Sequence, residues 1–273
     1  AILTLIPIFL TLARRQHLAI AYPTTLIIMA ANLGSAFTPI GNPQNLFLVT
    51  FYHVNLFTFF KLSTPLMLAS LALLVALSRR LPRLPLTVTP TKSTPISRSQ
   101  IGLAGGLLSF IMLGIFNLVP ISLVIIGTIV VGLMINRRVF QYVDYALLLT
   151  FICFFIFVSA ISHNPAITHW LNQLTQTAPS VYITGLITSQ VISNVPAAIL
   201  LANFTPHLSA LFLGVNIGGL GSLVASLANL LALKQLLPFN DEQPLHHFLI
   251  VFTALNGLGL FILGLGGWFY LHL

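Results

Sequence analysis

The chain has 273 residues, of which 57% are hydrophobic and only 5% are charged, whereas a typical soluble domain has about 25% charged residues. This composition, with a mean hydropathy of +1.02, excludes a soluble globular protein and predicts an all-α polytopic membrane protein. The net charge of +8 does not indicate nucleic-acid binding, because the basic residues stand in short clusters between apolar segments. The single cysteine, Cys153, excludes a disulfide framework and a CxxC metal site.

The apolar segments follow one another along the whole chain. They cover residues 1–13, 18–60, 62–78, 101–117, 119–135, 145–162, 179–204, 208–233 and 247–271. A crossing needs about 20 residues at a rise of about 1.5 Å each, so segment 18–60 is too long for one crossing unless part of it is unwound. Because the chain opens inside an apolar segment and without an initiator Met, we expect it to be truncated at its N-terminus.

The basic residues predict the orientation of these segments. Placing the clusters at 14–15, 79–98 and 137–138 in the cytoplasm, together with Lys234, leaves only Lys61 of the 11 Lys and Arg residues outside. In this arrangement segment 179–204 cannot cross the membrane, and it is predicted to enter and return as a re-entrant hairpin. Residues 79–100 then form a basic cytoplasmic linker.

Two polar islands interrupt the apolar segments. In "ANLGSAFTPIGNPQN" (31–45), Asn42 is a good N-cap and Pro43 suits the first position of a new helix. In "TSQVISNVPAAILL" (188–201), Ser193 or Asn194 is a good N-cap and Pro196 suits the first turn. Each island therefore predicts a helix that begins at membrane depth, where free N–H groups favour an anion.

The first island has a counterpart in the second half of the chain. "NLGSAFTPIGNPQNL" (32–46) aligns without gaps with "NIGGLGSLVASLANL" (216–230), and "AILTLIP" at the start resembles "AILLANF" from Ala198. By the charge argument the two copies enter from opposite sides, which predicts an inverted repeat. Its parts are residues 1–78 with the broken helix 18–60, the linker 79–100, and residues 101–273 with the hairpin 179–204, the broken helix 208–233 and the final span 247–271.

These motifs resemble the ion transporter superfamily, which includes arsenite pumps, sodium–proton antiporters and divalent anion/sodium symporters. "ANLGSAFTPIGNPQNLFL" resembles its unwound-helix motif, and "SQVISNVPAAILL" resembles its second hairpin motif. The resemblance implies an anion permease-like member with the fold of an inverted-repeat secondary transporter, having re-entrant hairpins and two discontinuous helices. In that superfamily a hairpin tip and an unwound helix from each half hold the substrate and, in symporters, a sodium ion.

The resemblance also implies a set of site residues. The implied ion-binding residues are Ser189, Ser193, Asn194, Ala225 and Gly41, the last two through their carbonyl groups. The implied substrate-binding residues are Ser193, Asn194, Val195, Thr38, Asn42, Asn45 and Asn229. Asn45 and Asn229 have a second interpretation, in which they hold the broken backbone, and the hydroxyl of Ser189 has one in which it bonds within its own helix.

One position of the hairpin tip departs from the superfamily. The dicarboxylate branch has Ser-Asn-Thr, whereas this chain has Ser193, Asn194 and Val195. The missing hydroxyl weakens a dicarboxylate assignment and favours the arsenite-pump-like and other anion permeases. Asp144, Asp241 and Glu242 all flank predicted cytoplasmic loops, and this argues against a sodium–proton antiporter, which usually exchanges ions at intramembrane acids.

The sequence therefore predicts secondary active transport of an anion by alternating access at a midplane site. The alternatives are arsenite or oxyanion efflux, sodium–proton antiport, and a structural remnant that transports nothing. There is no nucleophile–base–acid arrangement, GxSxG or Walker motif, so we expect neither an enzyme nor a cofactor. We expect no metal beyond a coupling sodium ion. A proton is the alternative coupling ion. The expected partners are a small anion, the lipid bilayer and, in some branches of the superfamily, a second copy of the chain, with no nucleic acid. The expected location is the cytoplasmic (inner) membrane of a prokaryote.

Overall fold

The computed structural model describes residues 2–82, 97–116, 118–135, 137–143, 145–239 and 244–272. These residues form α-helices and two short 3-10 helices, Arg137–Tyr142 and Leu237–Phe239, without any β-strand, which confirms the all-α prediction. The α-helices are α1 (Ile2–Gln16), α2 (Ala21–Ser35), α3 (Pro43–Phe51), α4 (Leu56–Ser78), α5 (Arg98–Ile115), α6 (Ile121–Ile135), α7 (Tyr145–Ser162), α8 (Pro165–Leu174), α9 (Ala178–Ile192), α10 (Asn194–Ala202), α11 (Leu208–Gly218), α12 (Leu227–Leu236) and α13 (Leu245–Tyr270).

Several of these helices can cross a membrane. Among the described residues, α4, α5 and α13 are each long and apolar enough, and α7 with α8 meets the same requirement as a bent pair. Large apolar side chains such as Leu68, Ile101 and Phe261 are exposed on them, as expected for helices that face lipid. The chain is a multi-pass membrane protein.

The chain forms two compact units, one of Ala1–Leu84 with Phe154–Leu273 and one of Pro85–Cys153. In the second unit, α5 begins at a capping box of Ser97 and Gln100. It packs on α6, where Gly114 faces the side chain of Val124. The repeat-based domains remain a prediction, and residues 83–96 of the predicted linker lie outside the described residues, as do Asp144, Asp241 and Glu242.

The first polar island and its counterpart in the repeat alignment (216–230) each contain a break between two short helices of the first unit. We call residues 36–42, between α2 and α3, the first connecting segment, and residues 219–226, between α11 and α12, the second connecting segment. The four flanking helices have 15, 9, 11 and 10 residues. At about 1.5 Å per residue, none of them spans the roughly 30 Å of hydrocarbon.

The structure differs from the predicted segments in two places. The helix after the first connecting segment ends at Phe51, and residues 56–60 of the predicted segment 18–60 belong to α4, which is capped by Asn55. Between the predicted segments 145–162 and 179–204 the structure has α8, capped by Asn164 with Pro165 at its first position. Both helices begin at an Asn cap that the hydrophobic pattern does not mark.

The hairpin of α9 and α10 packs against α11 through small residues. A Cβ atom built on Gly214 of α11 would lie 2.7 Å from the carbonyl oxygen of Tyr182 and 3.3 Å from Cα of Gly185 on α9. Glycine therefore lets the two backbones touch, as is common between membrane helices. The second arm, α10, is buried over all 9 residues, and it packs against α3 as well as α9 and α11.

Replacing Gly214 by Ala is expected to destabilise the protein, because the new methyl group meets backbone atoms that cannot move independently. We expect a cost of about 1–3 kcal/mol, seen as a lower melting temperature of the detergent-purified protein. Gly264→Ala on α13 is the matched control, since a Cβ there has no atom within 4 Å. Equal melting temperatures for the two variants would contradict the close packing of α9 on α11.

Candidate functional site

The hairpin tip lies against the second connecting segment. Helix α9 ends at Ile192 and α10 begins at Asn194, so the break is where the sequence predicts it. The N–H of Asn194 donates to the carbonyl of Ala225 at 2.9 Å, and the hydroxyl of Ser193 approaches the same oxygen at 3.5 Å. The structure thus brings together three residues of the predicted ion site.

Ser193 has an unusual backbone. Its φ is 75° and its ψ is 153°, a region that side chains disfavour at a cost of roughly 1–3 kcal/mol. Ser193 occupies the N-cap position of α10, but its side chain makes no capping hydrogen bond, unlike the predicted cap. Residues held in such conformations cluster at ligand sites and switch regions, which is consistent with a functional tip.

The hydroxyl group of Ser189 donates a hydrogen bond within its own helix. The Oγ atom donates to the carbonyl of Gly185 at 2.7 Å, as in the second interpretation of this residue. The side chain is buried against α11, where a Cβ on Gly218 would lie 2.8 Å from Oγ. A role of Ser189 as an ion ligand stays a prediction.

The first connecting segment ends as the sequence predicts. The side chain of Asn42 caps α3 by accepting from the N–H of Asn45 at 2.8 Å, and Pro43 occupies the first helical position. The N–H of Gly41 donates to the carbonyl of Thr38 at 3.1 Å. A Cβ on Gly41 would collide with the carbonyl oxygen of Ser35, so only glycine fits this turn.

Two asparagine pairs join the halves of the repeat reciprocally. Nδ2 of Asn32 donates to Oδ1 of Asn229 at 2.7 Å, and Nδ2 of Asn216 donates to Oδ1 of Asn45 at 2.9 Å. In the repeat alignment Asn32 corresponds to Asn216, and Asn45 to Asn229. Each helix that leads into a break is therefore bonded to the helix that leaves the other break.

The same asparagines hold the unwound backbone. Nδ2 of Asn45 donates to the carbonyls of Ala36 and Thr38 at 3.0 and 3.1 Å. In the other half, Nδ2 of Asn229 donates to the carbonyls of Gly219 and Ser222 at 3.3 and 3.0 Å. Both side chains are fully buried, and donor and acceptor atoms are engaged in both, which supports the interpretation that they hold the backbone.

A second reciprocal contact completes the network. Oγ of Ser226 donates to Oδ1 of Asn32 at 2.8 Å, and Nδ2 of Asn42 donates to Oδ1 of Asn216 at 3.0 Å. Ser226 and Asn42 are equivalent residues, each the N-cap of the helix after its break. Gln44 adds a bond to Asn216 at 3.3 Å. Each of the two N-cap residues thus hydrogen-bonds both its own helix and an asparagine of the opposite half.

Two helix N-termini contribute to the electrostatics of this region. Helix α10 packs on α3, and the first turns of the two helices contain the buried residues Val195 and Gln44. N–H groups of a first turn have no intrahelical acceptor and carry about half a positive charge together. No Asp or Glu side chain belongs to the described part of the chain. The described residues likewise contain no cluster of three His, Cys, Asp or Glu that could hold a metal.

Several residues of this region were missed as site residues from the sequence. Asn32 and Asn216 were visible as the leading residues of the repeat, but their pairing across the halves had no sequence signal. Tyr52, at the end of α3, donates to the carbonyls of Ala202 and Thr205 at the end of α10, at 3.2 and 2.7 Å. Gln190 of α9 bonds the second connecting segment. Its only signal was a polar side chain in an apolar segment.

The reciprocal pairs should be energetically coupled. We expect Asn32→Ala and Asn229→Ala each to lower the free energy of unfolding by about 1–3 kcal/mol, because each leaves a buried partner unsatisfied. In a double-mutant cycle the second substitution should cost less than it does alone, by about 0.5–3 kcal/mol. Asn203→Ala is the matched control, since its amide bonds only to Ile199 of its own helix in the described structure. Additive losses would contradict the pairing.

Comparison with known proteins places the chain. Residues 1–209 match the family described as Citrate transporter. Uncharacterized transporter MJ0456 of Methanocaldococcus jannaschii is 31% identical over 237 residues, which cover 86% of this chain and 64% of that protein. Inner membrane protein YbiR of Escherichia coli is 32% identical over 242 residues, which cover 86% of this chain and 63% of that protein. The chain spans less than two thirds of the length of these two relatives, and no solved structure matches it.

These matches agree with the resemblance to the ion transporter superfamily that the two motifs indicate. The family match extends from the first helix through α10, and it includes the first connecting segment and the hairpin tip. It covers far more than half of the 273 residues. The chain is a multi-pass membrane protein that belongs to the citrate transporter family.

Proposed function

We propose that this protein carries out secondary active transport of an anion by alternating access, with the ligand bound where the hairpin tip meets the two connecting segments. The observation that carries the proposal is the reciprocal asparagine network. It joins two broken helices, which are equivalent in the predicted inverted repeat, although broken backbone at membrane depth is tolerated only where it is buried in protein or lines a polar cavity. A structural protein has no need for two such breaks.

The chemistry of the tip supports an anion as the ligand. The first turn of α10, which contains Val195, lies at the positive end of a helix dipole. The N–H of Val195 is the one we assign to the anion, since the N–H of Asn194 donates to Ala225 and Pro196 has none. The amides of Asn45 and Asn229 are engaged with protein atoms. We therefore assign ligand contact to Ser193, Asn194 and Val195, and a holding role to Asn45 and Asn229. Asn42 and Thr38 belong to the first connecting segment, and their contact with the substrate stays a prediction.

Sodium is the coupling ion that this site suits better. Carbonyl and hydroxyl oxygens, such as those of Ala225 and Ser193, are ligands that hard cations prefer. A proton would need a titratable group, and none of the described residues of the connecting segments or the hairpin tip is acidic or a histidine. Proton coupling is the alternative that the experiment below distinguishes.

The family description names citrate, and citrate is the first anion to test. Arsenite or another oxyanion is the second candidate, favoured by Val195, which lacks the hydroxyl that the dicarboxylate branch carries at the tip. The name of the Escherichia coli relative supports the cytoplasmic membrane of a prokaryote as the location. We propose transport and not catalysis as the activity, and a homodimer as the assembly to be tested.

The function can be tested with the protein expressed from its complete gene and reconstituted in liposomes. We expect saturable uptake of one member of a panel of citrate, succinate, phosphate and arsenite, driven by a sodium gradient. Asn194→Ala should lower the initial rate by at least about tenfold, since a ligand contact of about 1.4 kcal/mol or more is lost. Asn203→Ala, at the other end of α10, is the control and should have the initial rate of the wild type.

Other outcomes of this experiment have distinct meanings. Uptake driven by a pH gradient alone would replace sodium by a proton. Wild-type uptake in Asn194→Ala would contradict the tip as the binding site. Absence of uptake for every anion, in either direction and with either gradient, would support the structural remnant instead.

A further inference from the structure

Gln190, on the hairpin arm α9, is bonded to the backbone around the second break. Its Nε2 donates to the carbonyls of Gly218 and Leu220 at 2.7 and 3.0 Å, and its Oε1 accepts from the N–H of Ser222 at 2.9 Å. The end of a helix leaves its last carbonyls without helical partners. The Gln190 side chain therefore supplies a partner for the last carbonyl of α11 and for two backbone groups of the second connecting segment.

The hydrogen bonds around Gln190 form a closed ring. Oγ of Ser222 donates to the backbone carbonyl of Gln190 at 3.1 Å and accepts from the N–H of Ala225 at 3.1 Å. The carbonyl of Ala225 in turn accepts from the N–H of Asn194 at the hairpin tip. The ring runs from Gln190 through Ser222 and Ala225 to Asn194, and returns along the hairpin.

The second connecting segment is shaped around this amide. Gly221 has a φ of 98°, and a Cβ atom on it would collide with Oε1 of Gln190. The space next to the amide is therefore available only because residue 221 is glycine. A chance contact between this segment and Gln190 would not require that residue 221 both adopt a left-handed backbone conformation and lack a side chain.

The first connecting segment is hydrogen-bonded to a different element from the one that holds the second. Phe37 corresponds to Gly221 in the repeat alignment, and its carbonyl accepts a hydrogen bond from Ser63 of α4 at 3.0 Å. The first connecting segment is thus bonded to a membrane-spanning helix, whereas the second is bonded to the hairpin. Among the described residues, the two connecting segments are therefore held by side chains from different elements.

We propose that Gln190 is a positioning residue of the transport site. Its amide holds the second connecting segment against the hairpin tip, and it thereby sets the position of the Ala225 carbonyl relative to Asn194 without contacting the ligand itself. For its effect on ligand affinity the inference rests on the proposed function. Its effect on the segment rests on the hydrogen bonds alone.

Removing the amide should loosen the segment and weaken ligand binding. In Gln190→Leu, ligand binding has to order the segment as well as fill the site, and this ordering opposes affinity. The translocation step itself keeps the hairpin, the asparagine network and the tip. We therefore expect KM to rise by about tenfold, as for the loss of a bond network of this size, while Vmax stays within about twofold.

Hydrogen exchange tests the segment without any ligand. In the full chain purified in detergent, backbone amides of residues 219–225 should exchange at least about tenfold faster in Gln190→Leu than in the wild type. Gln235→Leu is the matched control, because the Gln235 amide bonds only to Leu231 of its own helix in the described structure. Gly221→Ala is a second variant, expected to show the same loss by displacing Oε1. Unchanged protection in both Gln190→Leu and Gly221→Ala would overturn the inference.

Transport kinetics test the positioning role. The probe is radiolabelled citrate, or the anion of the panel above with the highest uptake, in liposomes containing the wild type, Gln190→Leu or Gln235→Leu. A raised KM with Vmax maintained supports positioning, and a loss of Vmax with KM unchanged overturns it. If the wild type transports none of the anions, the proposed function fails, and the exchange result then decides whether Gln190 holds the segment.

Discussion

Unpaired peptide groups in a broken membrane helix need hydrogen-bond partners, and this requirement governs the centre of the protein. Each such group left unsatisfied in hydrocarbon costs several kcal/mol. Here neutral side-chain amides supply the partners, because an amide both donates and accepts without bringing a charge into the bilayer. Asn45 and Asn229 each bond two carbonyls of their own connecting segment and one asparagine of the other half.

The reciprocal arrangement links local folding to the joining of the halves. A connecting segment keeps its shape only while its asparagine is in place, and that asparagine is oriented by a partner from the other half. The N-caps Asn42 and Ser226 repeat the principle, since each caps its own helix and bonds the opposite half. Disturbing one break therefore disturbs the other, which is the property that a binding site shared between two halves requires.

The sequence predicted the breaks better than the contacts between them. Caps and prolines are local signals, so Asn42 with Pro43, and Ser193 with Pro196, located two helix starts correctly. The same signals at Asn55 and Asn164 were missed because the hydrophobic pattern alone set the segment bounds, so the start of α4 was misplaced and α8 was not predicted. The repeat revealed that Asn45 and Asn229 are equivalent, but an alignment of two halves does not show which asparagine faces which. Gln190 was missed because a lone glutamine in an apolar segment fits many partners equally well.

Within the described residues, the hydrogen bonds that tie the two connecting segments to their neighbours differ in number and in the free energy needed to break them. Pulling the first segment away from α4 breaks the bond of Ser63 to Phe37, a net loss of about 0.5–1.5 kcal/mol. Pulling the second segment from the hairpin breaks the contacts of Gln190 with Gly218, Leu220 and Ser222 and leaves buried backbone groups unpaired, at about 1–3 kcal/mol each. Because the asparagine network joins the two segments, the bond between Ser63 and Phe37 is the less costly one to break. Among these ties, a change that keeps the hairpin and both segments together at the expense of that bond costs the least free energy.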